Sequence, residues 1–179
     1  SNFIIKKHKD LKFDSFDDSY EILSDESLKF SMKLIKSDLE KLGIRHDSFI
    51  SEKNLIKKDL VNKAIKVLKD NNVVEEGFLL PPKGESNKNW KKIKKLIFKS
   101  SIYGDDADRS LQKDDGSWTY FANDVAYHFD KISRNYNKLI NILGADHTGY
   151  IKRITAAVTA LSKNKVELNC KVTQLVKLF

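Results

Sequence analysis

The chain of 179 residues contains one cysteine, Cys170, and two prolines, Pro81 and Pro82. A lone cysteine excludes an internal disulfide and fits a reducing cytosol. Its place in an alternating apolar run predicts a buried small hydrophobe. Proline and glycine forbid regular structure mainly around Pro81, Pro82 and Gly84. No apolar run approaches the length of a membrane span. Phe3-Ile4-Ile5 is too short for the core of a secretory signal, and basic residues follow it. There is no G-x-G-x-x-G, no P-loop, and no serine or cysteine in the setting of a nucleophile. No histidine has a Cys or His partner at ligand spacing, so no metal site is expected. Repeats and low-complexity tracts are absent too.

What remains is a globular composition, 40% hydrophobic and 10% aromatic, sufficient for one sizeable core or a domain with an appendage. The formal net charge of +8 favours phosphate polymers through counterion release. The lysines are spread along the chain, however, and equally read as solvated surface. The one dense run, Lys91, Lys92, Lys94 and Lys95, carries the same two readings.

The first half is helical with a hairpin. Residues 1–16 show no period and read as a tail or edge segment. Asp17 to Leu42 has helical spacing, with Leu28, Met32, Ile35, Leu39 and Leu42 on one side. Ser24 to Ser27 offers a cap that would split it into two helices, and Gly43 ends it. Arg45 to Leu55 reads as a loop or short strand. Asp59 to Asp70 predicts a helix with Leu60, Ala64, Val67 and Leu68 inward, ended by Asn71-Asn72. A hairpin and loop follow, then a strand on which Ile93, Leu96 and Phe98 pack. A boundary is expected near Gly104 to Gly116.

Asp114 to Arg153 organises the rest. Ser117 to Phe121 (SWTYF) follows an Asp-Gly turn and predicts a strand. Val125, Phe129 and Ile132 then fall at helical spacing. Lys138 to Leu143 predicts a second strand, Ile151 to Leu161 a second helix, and the run from Val166 a third strand. That order, β-α-β-α-β, implies a parallel sheet with helical crossovers. Ligands in such sheets sit at the carboxyl ends of the strands, where two polar joints fall.

The first joint is Tyr120-x-x-x-Asp124. A carboxylate there either caps the helix or faces a pocket with the phenol, where it could grip a guanidinium. His128, four residues on, either lines that pocket or is a satisfied half-buried histidine. The second joint is Gly144-Ala145-Asp146-His147. Gly144 would allow a turn or a close approach, Asp146 could accept from ribose hydroxyls, and His147 could approach a phosphate. The plainer alternative is a Gly-Asp turn with Asp146 as cap.

Several segments, in unbroken order, resemble arginyl-tRNA synthetase, a class I aminoacyl-tRNA synthetase. They are IKSDLEKLGIRHDSFISEKNL, LLPPKGE, GDDADR, DGSWTYFANDVAYH, Lys131-x-x-Arg134, LINILGADHTGYIKR and QLVKLF. The match runs from about Leu28 to Phe179. The resemblance implies a mixed α/β fold: a partial Rossmann-like, nucleotide-binding parallel sheet (105–179) preceded by a mostly helical α+β inserted region (17–104). It implies ATP-dependent activation of arginine, with Mg2+ accompanying the nucleotide, and transfer to the 3′ end of tRNA(Arg) in the cytoplasm. By the same resemblance Tyr120 and Asp124 read the arginine guanidinium, and His128 joins them as an arginine-pocket candidate on its spacing alone. Gly144, Asp146 and His147 touch ATP or the adenylate. Glu52 matches a family segment without an assigned role.

Two family motifs, H-I-G-H and K-M-S-K, do not occur in the sequence. The expectation is therefore an interior piece, truncated at Phe179 and inactive alone, with an exposed sheet face that drives a non-native dimer. The alternative is a non-catalytic basic module that binds tRNA acceptor ends or a nucleotide.

Overall fold

The computed structural model describes residues 2–9, 15–79 and 93–177. The expectations for Pro81, Pro82, Gly84, Lys91, Lys92 and Phe179 lie outside those residues. The chain divides into two compact units, Ser1–Phe49 and Ile50–Phe179.

In the first unit, α1 (Asn2–Lys7) forms where the sequence shows no period, with Ile4 buried. The second helix, α2, runs unbroken over Phe16–Lys41. Ser15 caps it, its Oγ accepting from the Asp18 amide at 3.2 Å. The expected break at Ser24 to Ser27 does not occur. No glycine or proline interrupts the helix, and Glu26 turns inward to Lys7 Nζ at 2.6 Å and Lys29 Nζ at 3.0 Å. Those two ammonium groups hold the Glu26 carboxyl well below the usual range. The expected apolar side is mostly uncovered: Met32 and Leu39 are half-buried, while Leu28, Ile35 and Leu42 are exposed. Gly43 follows the helix at φ +74°, the left-handed end that glycine takes without steric cost.

The second unit begins with α3 (Glu52–Lys57) and α4 (Leu60–Asp70). The expected loop holds over residues 45–51, and α3 takes its end from Glu52. Ala64 and Leu68 are fully buried as the spacing predicted. Strands β1 (Val74–Gly77), β2 (Lys95–Phe98) and β3 (Arg109–Ser110) form an antiparallel sheet in that order. The predicted strand at Ser117 to Phe121 is absent. Trp118 makes one bridge to Gln112, and α5 (Tyr120–Ile132) starts directly after it.

The parallel sheet therefore has two strands, β4 (Lys138–Gly144) and β5 (Glu167–Thr173), joined by α6 (Ile151–Ser162). Pairing runs from Lys138–Glu167 to Gly144–Thr173. The fold is mixed α/β, but its parallel part is β-α-β, and the segment before α5 is an antiparallel meander. Core residues from α4, α5, α6 and β2 meet around Phe98, Leu68, Val125 and Ile154, each under 2% exposed. Burying each such side chain is worth about 1.5–3 kcal/mol. Ala122, Ala126, Ala156 and Ala157 are fully buried between them, small enough for the helices to pack closely. Cys170 is half-buried rather than buried, and desolvation raises its thiol pKa.

Candidate functional site

Helix α5 carries the first group of site residues on one face. Its cap is Thr119, whose Oγ1 accepts from the Ala122 amide at 3.2 Å and sits 3.2 Å from the Ser110 carbonyl. Neither Asn123 nor Asp124 caps the helix, which removes the plain structural account of that carboxylate. Tyr120 is the first helical residue, not a strand end, and Asp124 and His128 follow at intervals of four.

Asp124 stands between two clefts. One, of about 290 Å³, is lined by Glu52, Leu55, Tyr120, Asn123, Asp124 and Tyr127, with Ile50 at its edge. The other, of about 350 Å³, is lined by Asp124, Tyr127, His128, Lys131, His147 and Tyr150 together with Ile140 to Leu143 and Ile154. Tyr120, Asp124 and His128 thus share a helix face but not one cavity: Tyr120 borders only the smaller cleft, His128 only the larger, and Asp124 both, as does Tyr127.

The carboxylates of the smaller cleft are each held at one oxygen. The Tyr150 hydroxyl donates to Asp124 Oδ2 at 2.5 Å. Asn123 Nδ2 donates to Glu52 Oε1 at 3.0 Å, tying α3 to α5. Among the described residues, Asp124 Oδ1 and Glu52 Oε2 accept no hydrogen bond. Two anionic oxygens, an apolar edge at Leu55 and two phenol rings suit a small cation with several N–H donors.

His128 is 4% exposed and fully partnered. Its Nδ1 lies 2.8 Å from the Asp124 carbonyl and its Nε2 2.9 Å from Asn141 Nδ2. The carbonyl can only accept, so Nδ1 carries the proton and Nε2 accepts from the amide. Burial, aided by the Lys131 charge, lowers its pKa to about 4. Lys131 donates to Asn141 Oδ1 at 2.8 Å and lies over the Tyr127 ring at 4.4 Å. Desolvation lowers the Lys131 pKa as well. Helix α5 and strand β4 are thereby joined by a chain of Lys131, Asn141 and His128.

The second joint has a different shape from the expected helix N-terminus. Ala145–Tyr150 form a 3-10 turn before α6 starts. Gly144 has an ordinary extended backbone, φ −69°, so no left-handed turn demands glycine. An added Cβ would lie 2.5 Å from Asp146 Oδ1, but that atom ends an exposed side chain that can swing aside, so no close approach demands glycine either. Asp146 caps nothing; it is exposed beside His147, with 3.5 Å between Oδ2 and Nε2. His147 lines the larger cleft, whereas Gly144 and Asp146 line neither. Among the described residues no group of three or more His, Cys, Asp or Glu side chains could hold a metal ion.

Sequence reasoning assigned no role to Glu52 and missed Asn123, Tyr127 and Tyr150. Glu52 lies 71 residues from its partner Asn123, and Tyr150 lies 26 from Asp124. No local spacing carries such pairs.

No protein-family model matches the chain. It is 55% identical over 175 residues to an arginine–tRNA ligase of Pelagibacter ubique, a match covering 98% of this chain and 30% of that protein. An arginine–tRNA ligase of Ehrlichia chaffeensis is 51% identical over 162 residues, covering 90% of this chain and 28% of its own length. The chain thus spans less than a third of these relatives. A solved Campylobacter jejuni structure described as an arginyl-tRNA synthetase superposes with a TM-score of 0.74 at 32% identity, covering 95% of this chain and 34% of that one. The Plasmodium falciparum arginyl-tRNA synthetase shares the fold, with a TM-score of 0.63 at 16% identity.

Proposed function

We propose that the chain, over the segment that it spans, belongs to the arginyl-tRNA synthetase family and supplies the arginine-reading wall of an arginine–tRNA ligase. The carrying observation is the smaller cleft, with Glu52, Asp124 and the phenol of Tyr120 around it. A guanidinium offers five N–H donors in a plane and stays charged at any working pH. Two carboxylates with an unused oxygen each satisfy it, and a phenol ring can lie against its plane. Lysine brings one ammonium in place of a planar fork, and citrulline keeps the shape without the charge.

In this reading arginine is activated with ATP, Mg2+ arriving with the nucleotide, and the arginyl group passes to tRNA(Arg). His128 fixes helix α5 behind the cleft and does not touch arginine. Gly144, Asp146 and His147 lie toward the adenylate, with His147 the one that borders a cavity. Residues 17–104 act as the inserted region and 105–179 as part of the nucleotide fold, in a cytoplasmic enzyme. No helix among the described residues is long and apolar enough to cross a membrane.

The test replaces the matching 175 residues of the Pelagibacter ubique relative with this chain. The hybrid is expected to catalyse arginine-dependent ATP–pyrophosphate exchange with tRNA present, while the chain by itself gives none. Asp124→Asn in the hybrid should raise the arginine KM at least tenfold and leave the ATP KM unchanged. A folded but inactive hybrid would favour a non-catalytic module that binds tRNA ends or a nucleotide. An unchanged arginine KM in Asp124→Asn would remove the cleft from arginine recognition.

A further inference from the structure

Tyr150 lies outside the smaller cleft, yet its hydroxyl reaches one of the carboxylates that line it. It ends the 3-10 turn of Ala145–Tyr150, immediately before α6. Its ring meets Phe121 edge-on, with centroids 6.3 Å apart at 80°, and the Arg153 guanidinium lies 5.1 Å from the ring centroid. Held by both, the phenol points its hydroxyl at Asp124 Oδ2, 2.5 Å away. Burial and the carboxylate together push the Tyr150 pKa well above the ordinary phenol value, so it remains a donor at every working pH.

A free aspartate turns broadly about its last torsion, because a terminal carboxylate has no deep staggered wells. A fixed donor on one oxygen removes that freedom and settles which oxygen a ligand meets. Resting on the arginine-reading function proposed above, we propose that Tyr150 is a positioning residue. Its hydroxyl locks the Asp124 carboxylate through Oδ2, so that Oδ1 is presented to the substrate guanidinium. Asn123 does the same for Glu52 by holding Oε1. The guanidinium then meets one pre-set oxygen from each of two acids, rather than a bidentate fork from one. This arrangement fixes the distance between the two acceptors, and with it the preference for a planar, multi-donor cation over a single ammonium.

Tyr150→Phe removes the hydroxyl and keeps the ring against Phe121 and Arg153, so the fold should survive, with an unchanged thermal midpoint as control. The measurement is arginine and ATP kinetics in the hybrid enzyme carrying the full chain. Tyr150→Phe should raise the arginine KM about five- to tenfold, with kcat within about twofold and the ATP KM unchanged; a donor that orders an anionic acceptor is worth about that much. In the Asp124→Asn background the same change should do nothing further, because the group it positions is gone. An unchanged arginine KM in Tyr150→Phe, with Asp124→Asn still defective, overturns the positioning role and leaves the cleft assignment standing. Equal losses for Tyr150→Phe in both backgrounds also overturn it, since the effect would then not pass through Asp124. An Asp124→Asn enzyme with normal arginine KM overturns the underlying function instead.

Discussion

At the scale of single residues, His128 shows how burial decides protonation. Both ring nitrogens are occupied, and the side chain is 4% exposed. Charging it would desolvate a cation and turn Nε2 from acceptor to donor against an amide that already donates to it. Its folded-state pKa lies near 4, against the ordinary 6.5. Between those values the unfolded chain binds a proton that the folded chain refuses. Stability is therefore complete above about pH 6.5 and is lost as pH falls toward 4, by up to roughly 3 kcal/mol. Urea unfolding of the chain between pH 7.5 and 4.5 measures this. His128→Gln, which does not titrate, should flatten the slope over that window; an identical slope in both proteins would show that other groups set it. The sequence left open whether this histidine is a pocket residue or a satisfied buried one. Asn141, which the structure places against it from the neighbouring strand, satisfies the ring, and the ring also borders the larger cleft.

At the scale of elements, the start of α5 is where sequence and structure part most clearly. Trp118, Thr119, Tyr120 and Phe121 have high strand propensity, and read alone they predict a strand. Thr119 is also a good N-cap, and here the cap prevails. Its hydroxyl serves the Ala122 amide on one side and the carbonyls of Ser110 and Leu111 on the other. Phe121 then gains a core site against Phe98, with ring centroids 6.2 Å apart. Tertiary burial and capping together override local propensity. By contrast β4, α6 and β5 were legible, because β4 is a short apolar run, α6 repeats near 3.6, β5 alternates, and the turns between them are polar. Thr119→Ala should cost about 1 kcal/mol of stability in urea unfolding, and Thr119→Ser should restore most of it. A Thr119→Ala protein as stable as the wild type would mean that packing alone sets the helix start. The candidate site was legible only along α5, where Tyr120 and Asp124 are four apart. Its other carboxylate and its positioning phenol come from α3 and from the turn before α6, and only folding brings them there.

At the scale of the whole molecule, the parallel sheet is covered on one side. Leu139 packs inward, but Ile140 and Ile142 on the opposite face of β4 are 61% and 73% exposed. Among the described residues β4 and β5 pair only with each other, so each has an open edge. Parallel strands are normally buried on both faces, and a two-stranded sheet is marginal without a cover. Open edges and two adjacent isoleucines are the features that promote pairing with another copy. The isolated chain is therefore expected to self-associate in sedimentation at high concentration, its apparent mass rising with loading. Ile140→Lys with Ile142→Lys should return it to a monomer without loss of fold, because those side chains leave the core untouched. The net charge of +8 opposes association at long range. Added salt screens that repulsion and should strengthen the self-association, whereas contacts made through ion pairs would weaken in salt. A wild-type chain that sediments as a monomer across the whole range would show that the charge, and not the bare face, governs its behaviour in solution.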